Sequence, residues 1–295
     1  MKHEIRYGKA EISVYRTYAR PLEVPPIPES SFRGRPNTLF GALVTVEVYG
    51  DNFLPAYTDG DNRNVVATDT MKNFTYAMAL EYRGSTQEGF AAFLAGRFLA
   101  TYPEMKRIRI SSRELSFAAH SEKLLSPSFN DHGVVDVEME AGVLHDLSAG
   151  RHRLKLVKLT GSSFASFARD QYTTLPERPD RPLYIHLDVN WRYRDPTGAL
   201  LDVPSGFVPS EQVADLVRAT FDDFVSLSIQ HLVNEMGTRI LARFPALSEV
   251  SFEAQNRLWD TSAEGEGEAA GTRVYSDPKP AHGSIGLRLI RTDLA

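Results

Sequence analysis

Two heptapeptides 142 residues apart constrain the fold of this chain more than any other feature. Arg97-Phe98-Leu99-Ala100-Thr101-Tyr102-Pro103 is echoed by Arg239-Ile240-Leu241-Ala242-Arg243-Phe244-Pro245, an offset close to half of the 295 residues. Each closes a helical stretch and precedes alternating apolar residues. Self-similarity at such a period indicates one supersecondary unit used twice; convergence of two helix-to-strand exits on similar chemistry is the alternative.

The flanking pattern supports repetition. Alternation, which sets side chains on one face of a strand, occurs at Ile12/Val14, Val44/Val46/Val48, Ile108/Ile110 and Val135/Val137/Met139. It recurs at Leu154/Leu156, Ile185/Leu187/Val189/Trp191/Tyr193, Val250/Phe252 and Ile285/Leu287/Leu289. Between the second and third strand of each half lies a helical stretch. The first runs from about Thr68 to Pro103 and breaks near Arg83-Gly84-Ser85. The second runs from Pro209 to Phe244, with Val213, Leu216, Val217, Phe221 and Phe224 on one stripe, continued by Ile229, Leu232, Val233, Met236 and Ile240.

Each half therefore reads β-β-α-α-β-β, an α+β chain with an antiparallel sheet and paired helices on one face. The expected modules are 1–142 and 143–295. The other sheet face carries Lys106, Arg107, Arg109, His186, Asp188, Asn190, Arg192, Arg288 and Arg291. Such a face is either solvated or lines a wet barrel closed by oligomerisation, which also removes free edges. Pro21–Pro36 reads as a linker, and Ala263–Gly271 as a flexible hairpin loop whose carboxylates would repel a phosphate.

Composition removes several chemistries. The chain has no cysteine, so disulfides, thiolate metal sites, iron–sulfur clusters and cysteine nucleophiles are out. A net charge of −5 argues against a general nucleic-acid binder. No secretory leader, bilayer-length apolar run or peroxisomal tripeptide (the end is Asp293-Leu294-Ala295) is visible, so a soluble cytoplasmic protein is expected. The histidines lack the i, i+4 pairing of a helical metal site. The calcium-loop start Asp59-Gly60-Asp61-Asn62 fails at Asn64 and Thr70.

Two segments hold chemical potential. Val65-Val66-Ala67-Thr68-Asp69-Thr70-Met71-Lys72-Asn73 enters a helix, where Thr and Asp are favoured caps. On local chemistry capping is the favoured reading. The other is an anion held by free helix-start N–H groups beside the Thr68 hydroxyl. In the second segment, from Phe164 to Asp180-Arg181, a ring and a guanidinium suit a flat heterocyclic anion, stacked on its face and forked to its edge. Phe164 packed in the core and Arg181 paired with Asp180 is the structural alternative.

These segments, with Tyr7-Gly8-Lys9, Gly60-Asp61-Asn62, Phe167-Ala168-Arg169-Asp170-Gln171-Tyr172-Thr173-Thr174-Leu175, Ser228-Ile229-Gln230 and Glu253-Ala254-Gln255-Asn256, resemble the urate oxidase family in order along nearly the whole chain. The resemblance implies the tandem tunnelling fold and a homotetramer with sites between subunits, acting on urate and molecular oxygen. It implies no cofactor and no metal, and no nucleic-acid or membrane partner. Lys9 and Thr68 would form a proton relay, Phe164 would stack on the purine, and Arg181 and Gln230 would clamp its edges. The backbone at Asp69 and Ile229 would complete the hydrogen bonding, and Asn256 would hold oxygen, then peroxide or water. The implied products are 5-hydroxyisourate and hydrogen peroxide.

One position departs from the family pattern. Relatives often carry a relay histidine two residues after the asparagine, where this chain has Leu258. A tunnelling-fold enzyme acting on a pterin and a catalytically silent purine binder are the competing readings.

Overall fold

The computed structural model describes residues 2–201 and 204–292, so the C-terminal tripeptide considered above lies outside them. Each alternating segment becomes a strand: β1 Arg6–Thr17, β2 Leu39–Tyr49, β3 Arg107–Glu114, β4 His132–Glu140, β5 Val143–Lys158, β6 Leu183–Tyr193, β7 Leu247–Asn256 and β8 Gly283–Ile290. They form one eight-stranded sheet in which spatial order follows chain order and neighbours run antiparallel. Val44, Val46, Val48, Ile110, Val189, Val250 and Phe252 bury one face completely or nearly so. Along the outer strand β8, Ile285, Leu287 and Leu289 are only half-buried.

Four helices cover that apolar face: α1 Thr68–Glu81, α2 Gln87–Thr101, α3 Ser210–Asp223 and α4 Ile229–Arg243. A shift of 142 residues carries α1 onto α3 and α2 onto α4 at both ends. The caps repeat as well, since Thr86 and Ser228 accept hydrogen bonds from the N–H groups of Gly89 (3.1 Å) and His231 (3.0 Å). So do the inter-helix ion pairs: Arg97 meets Glu81 at 2.9 Å and Arg239 meets Asp223 at 2.8 Å. Even irregularities coincide. Glu11 (φ 57°) and Arg153 (φ 63°) sit in equivalent bulges of β1 and β5. Three residues earlier, Gly8 and Gly150 run so close to the next strand that a Cβ would come within 1.9 Å of the Val46 carbonyl and 2.6 Å of the Val189 carbonyl. Convergent helix exits would not share bulges, so one unit used twice is the better account.

Three expectations change. Arg291 does not belong to the polar sheet face: one residue past β8 it shares the helix side with Leu289, and its guanidinium donates to the Leu247 (2.8 Å) and Leu241 carbonyls, closing the end of α4. Lys106 precedes β3 and is exposed. The proline-rich stretch is a docked strap rather than a linker. Leu22–Glu23 pairs with Gly34–Arg35, Ser30 donates to Asp215 at 2.6 Å, and Gln212 donates to the Pro25 carbonyl at 2.7 Å, tying the strap to α3. The 263–271 stretch closes a hairpin of Asp260–Glu264 and Arg273–Ser276. The polar face is largely self-neutralised, with Arg109 on Asp136 (2.8 Å) and Arg107 on Glu138 (2.7 Å).

The turn Ala141-Gly142, both residues at positive φ (49° and 79°), joins the halves into one sheet. At the end of the β4–β5 pair away from this turn lies an ion cluster. Arg151 on β5 meets Glu114 on β3 at 3.1 Å and Asp131 at 2.7 Å, and donates to the Ser210 hydroxyl at 3.3 Å. Arg35, from the strap, reaches Glu114 at 2.8 Å and also pairs with Glu211. Glu88, in the first turn of α2, is buried and accepts a hydrogen bond from the Tyr193 hydroxyl at 3.2 Å.

Burial pushes the Glu88 carboxyl up to about 7, against the pull of its hydrogen bonds and of Arg35. A carboxyl raised in this sense is stabilising in its neutral form, so its contribution is lost as pH climbs through about 7. Glu88→Gln removes the titration. From about pH 5 to about pH 8, denaturant unfolding is expected to show the unsubstituted chain losing roughly 2 kcal/mol relative to the variant. Parallel pH profiles would contradict this account.

Candidate functional site

The expected site residues fall into two groups. In the first, Lys9 lies half-buried on β1 opposite Val46, hence on the helix side of the sheet, just before the bulge. Helix α1 starts without a side-chain cap: its N-cap is Ala67, Thr68 is the first helical residue and Asp69 the second. The expected cap by Thr68 or Asp69 is therefore not made. The Asp69 carboxylate instead accepts from Lys72 (2.5 Å) and Asn73 (3.1 Å). Those bonds, Lys72 foremost, hold Asp69 below the usual carboxylate range, and Lys9 adds to the effect, which places the lysine's charge near this helix start. The exposed Thr68 hydroxyl and the uncapped first-turn N–H groups face outward together.

Support for this group comes from Tyr7. Its hydroxyl accepts the Val66 N–H at 3.1 Å, and its ring meets Phe53 edge-on at 5.0 Å. Burial pushes its phenol up, so it stays neutral. The tyrosine thus fixes the approach to Thr68 from the strand that carries Lys9.

The second group gathers between β5, β6 and α4. Phe164 exchanges backbone bonds with Arg178 (2.9 and 3.0 Å) and is half-buried rather than part of the core. Phe167 stacks on one side of its ring at 4.9 Å, and the Arg181 guanidinium lies 5.4 Å from its centroid. Arg181 does not pair with Asp180. That carboxylate accepts from the Thr160 hydroxyl (2.6 Å) and the N–H groups of Gly161 (2.7 Å) and Ser162 (3.3 Å). The Arg181 Nε is buried without a partner, and burial lowers the guanidinium's pKa. An unsatisfied buried donor of this kind is costly, and an anionic ligand would satisfy it.

Serines tie this segment to the helix layer. Ser163 N–H donates to the Ser226 carbonyl at 2.8 Å, and Ser226 N–H donates to Gly161 at 3.2 Å. Two residues on, Ser228 caps α4, so Ile229 is its first, buried residue and Gln230 its second, exposed one. Asn256 ends β7 opposite Ile185 and Gly283, and its Oδ1 is also buried without a partner. Leu258 packs against the apolar core.

One chain does not bring the two groups together. β1 and β7 are six strand spacings apart, about 29 Å along the sheet at ~4.8 Å per strand. A cleft of about 1100 Å³ lined by Arg35, Phe40, Glu114, Phe117, Asp131 and Arg218 contains none of the expected residues. No cluster of three or more metal-ligating side chains occurs among the described residues. Sequence reasoning missed Tyr7, Asp180 and Ser226 as supports. Their neighbours in the motifs were visible, but which backbone groups their oxygens meet depends on distant segments.

A sequence model of the family described as Uricase matches residues 5–133 and 147–286. The uricase of Haloferax volcanii is 46% identical, over 86% of this chain and 88% of that protein. The uric acid degradation bifunctional protein PucL of Bacillus subtilis is 42% identical over 99% of this chain and 62% of its own greater length. Among solved structures, a urate oxidase from Bacillus sp. TB-90 superposes with a TM-score of 0.93 at 37% identity, covering 97% of this chain and 99% of that one. A uricase from Bacillus fastidious gives 0.94 at 37% identity, covering 100% and 96%.

The Asp180 anchor has a direct test. Asp180→Ala is expected to speed amide hydrogen exchange at Gly161 and Ser162 by about tenfold while core amides keep their protection. Unchanged exchange at those two positions would count against it.

Proposed function

The chain belongs to the uricase family and is an oxidoreductase of urate, and from that premise we propose that its site is completed between two copies, Lys9 and Thr68 from one and Phe164, Arg181, Gln230 and Asn256 from the other. The urate anion stacks on the Phe164 ring. Arg181 forks to one edge, a bidentate geometry that suits a planar anion, and the Gln230 amide holds another. The backbone N–H groups of Asp69 and Ile229, both in the first turns of helices, add donors where helix ends favour negative charge.

Lys9 and Thr68 move the proton. The hydroxyl takes it from bound urate and the nearby ammonium lowers the cost of the negative charge that develops. The resulting electron-rich dianion passes two electrons to molecular oxygen held at Asn256. Water then adds to the oxidised ring, giving 5-hydroxyisourate and hydrogen peroxide, so urate, oxygen and water balance the products. This reading assigns no cofactor.

One observation carries the two-copy arrangement. Within the chain, Arg151 and Ser210, the counterparts of Lys9 and Thr68 at the 142-residue offset, lie against Glu114, the counterpart of Asn256, because β4 pairs with β5. The outer strands β8 and β1 are open, and β8 leaves Ile285, Leu287 and Leu289 half-covered. Pairing β8 of one copy with β1 of another would repeat the β4–β5 junction and bring Lys9 and Thr68 to Asn256. Repetition of that contact closes a homo-oligomer, a homotetramer in this reading.

Loss of urate absorbance with oxygen uptake and peroxide release, in chelator-treated protein, tests the reaction. Tight urate binding without turnover would instead mean that Leu258 leaves the relay incomplete and the chain silent. Thr68→Ala is expected to lower turnover by roughly 100-fold with little change in purine-inhibitor binding; equal losses would make Thr68 a binding residue. Mixing unfolded Thr68→Ala and Arg181→Ala chains and refolding them together is expected to restore about a quarter of the activity, because half the sites of each mixed pair draw both residues intact. No recovery over either variant alone would refute sharing of the site between copies.

A further inference from the structure

The junction inside one chain repeats the proposed intermolecular site with two of its amides replaced by carboxyl groups. At the 142-residue offset Lys9 corresponds to Arg151, Thr68 to Ser210, Asp69 to Glu211, Gln230 to Glu88 and Asn256 to Glu114. The matching bulges at Glu11 and Arg153, the matching caps at Thr86 and Ser228, and the matching helix bounds fix these equivalences. So does strand register: Glu114 ends β3 opposite Ala42 as Asn256 ends β7 opposite Ile185. The two amides offered to an anion in one place are thus the carboxyl groups of Glu88 and Glu114 in the other, Glu88 shedding its proton only near pH 7, and Glu211 keeps the acidic group that Asp69 carries.

These carboxyl groups already have an occupant. Arg35 enters from the segment leading into β2, as Arg181 enters from the segment leading into β6. Its Nε donates to Glu211 at 2.5 Å and its Nη2 lies 2.8 Å from Glu114, with Glu88 in electrostatic reach. Burial alone would lower the pKa of Arg35; Glu211 and Glu114 outweigh it and raise it. The second oxygen of Glu114 accepts from Arg151 (3.1 Å) and the Gly133 N–H (2.9 Å), and Asp131 and Arg218 extend the network at the rim of the cleft.

We propose that the junction of the two halves is a second, permanently occupied ligand site: a pocket for a planar guanidinium cation, made by Glu88, Glu114 and Glu211 and filled by the chain's own Arg35. It locks the halves of one chain together at the position where the intermolecular site stays open for a planar anion. The inference rests on the assignment of Lys9, Thr68, Gln230 and Asn256 to one site, but its test involves no urate, so the two readings fail separately.

Arg35→Ala empties the pocket and leaves its three carboxyl groups. The variant is expected to melt below the unsubstituted chain, and about 10 mM methylguanidinium chloride to raise its melting temperature by about 2–4 °C. Equal concentrations of sodium or tetramethylammonium chloride should not, and the unsubstituted chain should not respond. A variant that treats the three cations alike overturns the proposal. If Arg35→Ala does not fold alone, recovery of folded protein on refolding with methylguanidinium, and not with sodium, supports the pocket; equally poor recovery overturns it. Arg35→Lys keeps the charge and loses the fork, so it is expected to melt between the alanine variant and the unsubstituted chain. A lysine variant as stable as the unsubstituted chain overturns selectivity for guanidinium.

Discussion

The pairing of β4 with β5 across the Ala141-Gly142 turn is the interaction on which the rest of the structure depends. Two residues at positive φ make a turn whose twist matches that of the flanking strands, so the sheet of the second half continues that of the first. All four helices then lie on one face, and the inner edge of each half is consumed. Among the described residues no strand pairs with the outer edges of β1 and β8, a condition that proteins relieve by closure or assembly.

That single pairing also sets the junction that the proposed intermolecular site would repeat. Where the halves of one chain meet, a strand-borne cation, a hydroxyl at a helix start and groups at the end of a neighbouring strand converge on each other, as Arg151, Ser210 and Glu114 do. Acid residues turned this junction into a cluster that holds itself together with Arg35 and Arg151. A buried network of this kind is destabilised far more by loss of one member than it stabilises as a whole, so it favours one arrangement of the halves over others. The proposed urate site keeps amides at the same positions and leaves Arg181 Nε and Asn256 Oδ1 buried and unsatisfied. Each orphan costs about 1–3 kcal/mol in the empty protein, and that cost is relieved when a ligand supplies the missing partners.

In the proposed site Leu258 bears on proton movement rather than on recognition. It packs against the core, so it contributes shape to the end of β7 and no proton. In the proposed site Lys9 and Thr68 stand as the relay without a third side chain, while the ring, fork and amide that grip a planar anion are all in place.

Alternation and helical spacing determined the strands, the helices and their breaks, because burial of one face imposes a period that the residues must follow. The 142-residue offset in the sequence likewise determined that the halves are alike, and the motifs around Thr68 and Arg181 marked the family. Tertiary structure decided what lay at element ends. It made Ala67 rather than Thr68 the cap, turned Arg291 toward α4, docked the proline-rich strap on α3, and gave Asp180 to backbone N–H groups instead of Arg181. It also decided that Lys9 and Asn256 lie on distant strands of one sheet. Periodicity is a local property that a linear sequence records, whereas the partner of a terminal side chain is chosen by whichever distant segment folds against it.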